Sequence, residues 1–408
     1  MLTIGIMIER VRTHARRMHK GIIAYAKEHS GLSLRLLEFS DVNNPRTLAG
    51  CDGYIARILN DQMASALLKT RKPVIDVYCG KPREGILSVD ENRRRVGIMA
   101  ARHFLEHRFT RFAFCGLDGI AFSDDRRDAF LSCLARHRFS CVTYHTPNNI
   151  LTNFEQSILR NDRIGLPLDR QSLSRWLKKL PKPIAVFCAH DSRAYQLIQV
   201  CHLCDIDVPR DLAVLGVDDD ELTCNYTTPT LSSINHNGFG IGYAAIEAMH
   251  GILNGTARPD RPITVPPLGL TIRESSNVYP LDPPWLSDAL VFIRTNIHKK
   301  ISAADVYAAV GKSHTAVDRA FRSELGTSVQ KTIIRIRLDV AKHLIQNSNT
   351  PFADIMLQSG FSSAQRFCHA IVAGFGKSPT ALRANVQSSA QRFGRHTGVE
   401  ENHREAPY

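Results

Sequence analysis

Apolar positions along this chain follow two rhythms, and the change from one to the other divides it. Through residues 1–278, short apolar runs alternate with longer stretches whose apolar residues recur every three or four positions. Residues 3–8, 34–39, 53–58, 73–78, 86–89 and 112–116 read as strands, with helical patterns such as 18–26, 62–69 and 96–107 between them. The alternation then restarts: helix 128–137, strand 141–144, helix 172–180, strand 184–188, helix 193–204, strand 213–217. Apolar strands interleaved with amphipathic helices predict an α/β fold of parallel, doubly wound sheets. Two such series predict two similar lobes facing each other.

Beyond residue 278 the strand signals stop. Pro280, Pro283 and Pro284 make a stiff boundary, and residues 285–298 read as a linker helix. Ile334, Leu338, Ala341 and Ile345 then recur at helical spacing. A short apolar helix over 352–357 follows Pro351 and ends at Ser359-Gly360. Ser362, with Gln365 three residues on, reads as the capping box of a further helix that carries Phe367 and Ile371 on one face. Two short helices joined by a glycine-containing turn form a helix-turn-helix. Val310, Ser313, Val317, Phe321, Leu325-Gly326 and Ser328 stand in register, fifty residues earlier, with Gly360, Ser363, Phe367, Ile371, Phe375-Gly376 and Ser378. That internal repeat predicts an all-α domain with two helix-turn-helix units. The expected organisation is 1–278 as a two-lobed domain, 279–298 as linker, 299–384 as the helical domain and 385–408 as a disordered tail, whose composition shows no apolar period.

Length and composition sharpen this. At 408 residues, two or three domains with their own cores are expected, and no apolar run is long enough for a membrane span. The start Met-Leu-Thr-Ile-Gly-Ile reads directly as a strand, so no signal peptide is expected. Ten cysteines without regular pairing then point to reduced thiols in the cytoplasm. Cys201 and Cys204 form one CxxC without a second pair, inside a helical apolar pattern, and no metal or cofactor is expected. The net charge is +13, and residues 285–384 hold thirteen Lys and Arg against six Asp and Glu. A basic excess in the helical third suits phosphate contact.

Arg337-Leu338, Ala341, Leu344-Ile345, Ile355, Gly360-Phe361, Phe367, Gly376, Ser378-Pro379 and Arg383 resemble the signature of AraC/XylS-type DNA-binding domains. The chain departs from that pattern at Ile371-Val372-Ala373 and at Cys368-His369, so the first unit is expected to carry more of the base specificity. In the first 278 residues, Val89-Asp90-Glu91-Asn92, Arg126 to Phe130, Ala189-His190-Asp191, Gly216 to Asp219 and Pro229 to Ile234 resemble LacI/GalR-type sensor domains. Those are type I periplasmic-binding-protein folds whose lobes close on a small molecule. The N-terminal DNA-reading helices usual there do not appear in this sequence. The pairing of such a sensor with an AraC-type reader is similar, end to end, to the bacterial xylose-operon regulators. The resemblance implies a sugar effector, D-xylose first, with double-stranded DNA, a second copy of the chain and RNA polymerase as partners.

A neutral sugar offers adjacent hydroxyls that donate and accept together. Carboxylates accept two hydroxyl hydrogens, and guanidinium forks donate back. In doubly wound lobes the ligand lies beyond the carboxyl ends of the strands. Asp90, Asp191 and Asp218 each follow an apolar strand, and Arg126 is expected to open the helix after strand 112–116. These four are the expected sugar-binding set, with Arg193 and His236 supporting and His14 or Arg16 covering the other side. The competing reading of a strand-end Asp is a helix N-cap. On the first recognition helix Val317 and Phe321 face inward, so Thr315, Asp318 and Arg319 are expected to face DNA; Gln365, Cys368 and His369 take those positions in the second. Arg319 suits guanine and Gln365 adenine, while His314, Arg322 and Lys377 suit phosphate. A sensor for another pentose or hexose acting as a repressor, a transport component, and a sugar-modifying enzyme remain as alternatives. No phosphate-cradling or nucleophile motif favours the enzyme.

Overall fold

The computed structural model describes residues 1–383 except 79, 147–168, 257–258, 260 and 348–349, so the expected tail lies outside the described residues. It divides into two units, Met1–Pro280 and Leu281–Tyr408.

In the first unit, twelve strands among the described residues build two six-stranded sheets. The strands are β1 Leu2–Met7, β2 Leu32–Leu36, β3 Gly53–Ala56, β4 Val74–Asp76, β5 Ile86–Glu91 and β6 Phe112–Cys115. They continue as β7 Cys141–Tyr144, β8 Ile184–Cys188, β9 Leu212–Val217, β10 Ser232–Asn235, β11 Ile263–Val265 and β12 Gly269–Thr271. One sheet has the order β11-β5-β4-β3-β1-β2, the other β12-β10-β9-β8-β6-β7. Every pairing is parallel except β12 on β10. Strands β3, β8 and β9 are buried along their whole length, because helices cover both faces and no position needs to be polar. Ile4, Ile55 and Ile75 of the first sheet pack with Ile22 and Ile246 from helices Thr13–Glu28 and Gly238–Leu253. Those two helices touch closely: a Cβ on Gly242 would stand 2.0 Å from the Met18 carbonyl oxygen. In the second sheet, Phe112, Phe114 and Phe187 meet Phe104 and Phe130 on one face, and Leu173, Leu177 and Leu197 cover the other.

Strand order along the chain predicts a first lobe running through residue 116, and the structure differs. Strand β6 starts the second sheet, and helix Arg93–Glu106 packs with helix Ala121–Arg136 in that lobe. Helix Gly238–Leu253 and β11 return to the first lobe, and β12 goes back to the second. The chain therefore crosses between lobes after β5, β10 and β11. The Asn92 amide donates to the Val265 carbonyl at 2.8 Å, tying the first and last crossings together. Hydrophobic periodicity marks elements, not the sheet that each one joins.

The second unit holds helices Trp285–Thr295, Ala303–Val310, His314–Leu325, Val329–Asn347, Phe352–Gln358 and Ala364–Phe375. The fifty-residue repeat is visible in its caps. Ser313 Oγ accepts from the Ala316 amide and Ser363 Oγ from the Arg366 amide, both at 3.3 Å. Gly326 and Gly376 close the two helices with φ of 66°, a left-handed turn that glycine enters without steric cost. Ser328 and Ser378 then cap the following segments through the Lys331 and Ala381 amides. The N-cap is thus Ser363 and not the expected Ser362, because the helix starts one residue later. Ala341, Ile345, Ile355, Phe361, Phe367 and Ile371 form the core of the second repeat.

Candidate effector cleft and nucleic-acid interface

A cleft opens between the carboxyl ends of the two sheets, where doubly wound folds take their ligands. From the first lobe, Arg57 follows β3 and ion-pairs with Glu9, which follows β1. His14 Nε2 stands 2.7 Å from an Arg57 guanidinium nitrogen and 3.5 Å from the Glu9 carboxylate. The guanidinium lies 4.3 Å over the Tyr78 ring. Burial works to raise the Glu9 carboxyl, yet Arg57 and His14 hold it well below the usual carboxylate range. Glu9 is therefore an anion enclosed by its partners.

Strand β5 ends on Asp90 and Glu91, whose side chains alternate across the strand. Asp90 pairs with Arg93, which also reaches Asp125 at 3.0 Å and the Tyr78 carbonyl at 2.5 Å. Burial pushes the Asp90 carboxyl up to about 7, with Arg93 opposing and Glu91 adding to the rise. Glu91 pairs instead with Arg126, on helix Ala121–Arg136 of the second lobe. Arg126 also donates to the Ala189 carbonyl and lies 5.1 Å over the Phe122 ring. Glu91 Oε2, Glu9 Oε2 and Arg126 Nε are buried without a hydrogen-bond partner among the described residues. Buried polar atoms left in that state are costly unless something else bonds them.

On the second lobe Asp191 accepts from Ser233 Oγ at 2.6 Å and from the Asp220 amide at 2.9 Å. Burial, with Asp218 repelling, pushes its carboxyl well above the ordinary value. Asp218 is raised by burial too, although His14 and Arg126 oppose the rise. His236 Nδ1 stands 3.4 Å from its carboxylate. Burial drives the His190 and His236 imidazoles well below their ordinary value, so both are neutral at pH 7. Asp90, Asp191 and Asp218 hold their protons more tightly than free carboxyls, the His190 and His236 imidazoles are neutral, and the guanidinium donors are fixed, a set that suits an uncharged polyhydroxylated ligand.

Of the expected sugar-binding residues, Asp90, Arg126, Asp191, Asp218, His236 and His14 line this cavity, and Arg193 and Arg16 do not. Arg193 is buried in the second lobe, donating to both Asp169 oxygens at 3.1 and 2.7 Å beside the Tyr144 ring. Two residues along a helix rotate a side chain by roughly 200°, so Asp191 and Arg193 face opposite ways. Arg16 lies on the exposed side of its helix, bonded to the Val11 carbonyl and Thr13 Oγ1. Arg126 does not open its helix but sits in its second turn, still facing the cleft. Arg12, Arg57, Tyr78, Glu91, Phe122 and His190 were not anticipated. Arg57 was accessible to the same strand-end rule that found the aspartates, since it directly follows β3.

In the second unit, His314, Thr315, Arg319 and Arg322 are exposed on helix His314–Leu325. Asp318 is half-buried, 3.3 Å from His314 and accepting from the Tyr307 hydroxyl at 3.4 Å, so it braces the preceding helix. Gln365, Cys368, His369 and Lys377 are exposed in the second repeat, as is Arg366, which sequence reasoning passed over. No described helix is long and apolar enough to cross a membrane.

Comparison with known proteins places these two geometries. Residues 101–276 match a periplasmic binding protein-like domain and residues 306–385 a helix-turn-helix domain. The xylose operon regulatory protein of Haemophilus influenzae is 28% identical over 290 residues, covering 70% of this chain and 72% of that one. Its namesake in Escherichia coli K12 is 26% identical over 339 residues, covering 81% and 83%. The solved structure of a xylose-binding transcription activator superposes with a TM-score of 0.57 at 25% identity, over 94% of this chain and 98% of that one.

Proposed function

We propose that this chain, a periplasmic-binding-protein-like domain joined to an AraC-type helix-turn-helix domain, is a sugar-responsive transcription regulator whose effector is D-xylose. The observation that carries this reading is the coexistence, in one chain, of a cleft suited to an uncharged polyol and a duplicated groove-reading motif. Asp90, Asp191 and Asp218 exchange hydrogen bonds with sugar hydroxyls, Arg126 donates to ring or hydroxyl oxygens, and His14 and His236 complete the set. Sugar shifts the lobes because it bonds groups from both at once, so the two arrangements bind it unequally. Residues 279–298 carry that difference to the reader, 299–384. Arg319 reads guanine, Gln365 reads adenine, and His314, Arg322 and Lys377 take phosphates. The chain works as a cytoplasmic homodimer over repeated half-sites, contacts RNA polymerase when it activates, and performs no chemistry on the sugar.

The test has two arms. Calorimetric titration with D-xylose, D-ribose, L-arabinose and D-glucose is expected to give a response to xylose; silence with every pentose refutes the effector assignment. Selection of duplexes from a random pool, with and without D-xylose, is expected to yield a repeated motif whose enrichment depends on sugar. Arg319→Ala then relaxes one guanine position by about 1–3 kcal/mol.

A further inference from the structure

In a parallel α/β lobe the strand starts and helix ends share one edge. In the second lobe that edge is basic. Arg111 precedes β6, Lys182 lies just before β8, and Lys179 ends helix Arg170–Lys179. Arg136 ends helix Ala121–Arg136, while Arg108 and Arg138 stand two residues past the ends of their helices. Arg111 donates to the Lys182 carbonyl at 2.6 Å, which holds the middle of the row together. One acid of this edge, Glu106, ends helix Arg93–Glu106 near Arg108; Asp205, Asp207 and Asp211 gather before β9, where the Asp207 amide bonds the Asp211 carboxylate.

Two further observations bear on this edge. Arg108 and Arg138 both have φ of 64°, at the helix-terminal position where glycine is the ordinary occupant. Both are exposed, and an arginine holds there a backbone geometry that favours glycine. The polypeptide also leaves the first unit from this edge. Val278 is buried in the phenylalanine core of the lobe, and Tyr279 stacks on His107, the neighbour of Arg108, at 4.8 Å.

The geometry points to this basic edge as a second DNA contact, a sequence-independent seat for phosphates flanking the site that the reader recognises. The partner is the duplex backbone, because the row offers a line of cations suited to successive phosphates. It rests on the DNA-binding reading above and adds to it a surface on the sensor lobe.

The experiment uses the full chain, an operator from the selection above, and two duplexes: one trimmed to the reading half-sites, one extended by flanking sequence. Arg108→Gly with Arg138→Gly relaxes the backbone while removing two charges. Each lost phosphate contact lowers the slope of log K against log salt by about 0.9. The slope on the extended duplex is therefore expected to fall by about 2, and affinity near 0.15 M salt by roughly 10–30-fold. Binding to the trimmed duplex stays unchanged, and thermal stability stays level or rises. Arg71→Gly is the control: Arg71 has φ of 57° at the end of a first-lobe helix, and its loss leaves DNA binding alone. Equal slopes for parent and double variant on both duplexes overturn the proposal. So does unaltered DNA binding with reduced activation in a purified transcription assay, which assigns the edge to an acidic protein. If the parent chain binds no duplex at all, the DNA-reading function falls with it.

Discussion

Replacing Arg57 with methionine tests whether the first-lobe wall of the cleft is a charge pair or merely a packed cluster. Arg57 and Glu9 have side chains 7% and 1% exposed, so the substitution leaves a buried carboxylate with only His14 at 3.5 Å and Arg12 at 3.9 Å beside it. Removing one partner of a buried pair costs about 3–5 kcal/mol. A change of 1 kcal/mol moves the melting temperature of a domain of 150–250 residues by about 2–4 °C, so the sensor transition is expected to fall by roughly 10 °C at pH 7.5. Arg57→Met with Glu9→Gln removes both charges at similar volume and is expected to regain most of that loss.

The pH dependence separates the two explanations further. In the parent, Arg57 and His14 depress the Glu9 carboxyl despite its burial. Its stabilisation is therefore present above the unfolded value of about 4.3 and is lost as pH falls through the folded value. Without Arg57, burial acts with less opposition and the carboxyl rises. The variant then loses stability as pH increases, and its deficit against the parent is largest at neutral pH and smallest in acid. Urea melts at pH 7.5 and 5, followed by tryptophan fluorescence, measure both. A double variant that melts no higher than Arg57→Met would falsify the charge-pair account, because the loss would then come from packing over Tyr78.

Two other outcomes follow from the geometry. Asp90 holds its proton more tightly in the folded chain than in the unfolded one, so its contribution is full below about 3.9 and is lost as pH rises to about 7; Asp90→Asn is expected to flatten the decline of sensor stability between pH 5 and 7, and an unchanged slope counts against a buried, proton-holding Asp90. Ser363→Ala is expected to lower the stability of the second helix-turn-helix by about 1 kcal/mol, and Ser362→Ala to leave it nearly unchanged, as read by thermal melts of the full chain.

Elements were legible in the sequence because burial on two faces writes continuous apolar runs and burial on one face writes a helical period. The repeat was legible for a stronger reason, since Ser313 and Ser363 cap, and Gly326 and Gly376 terminate, at matching positions. Lobe membership was not legible, because the crossings at Asn92 and Val265 are set by a backbone bond between residues far apart in sequence. Side-chain direction limited the site. Asp191 and Arg193 look like one motif on paper and face opposite ways on a helix, while Glu91 looks like a neighbour of Asp90 and turns to the other lobe.

Bonds between the lobes converge on residues that line the cleft. Asp90 is satisfied by Arg93, near the crossing that follows β5, whereas Glu91 is satisfied by Arg126, carried by the second lobe. Arg17, on the first-lobe helix, likewise donates to the carbonyls of both Asp218 and Asp219, at 2.6 and 2.7 Å across the lobes. Asp218 and Asp219 have φ of 116° and 50°, so their backbone is in the left-handed region that ordinary residues seldom enter. The same Asp218 that presents its carboxylate to the cleft therefore presents its carbonyl to the opposite lobe. A ligand bonding Asp218, Glu91 and Arg126 acts on the very residues that hold the lobes together, and no separate relay through the hydrophobic cores is required. Loss of Arg17 is accordingly expected to weaken the sugar-dependent change in DNA affinity more than it weakens sugar binding, because it removes a bond between lobes and none to the ligand. An Arg17→Met chain whose sugar affinity and DNA response decline by the same factor would show that this bond belongs to the site rather than to the lobe arrangement.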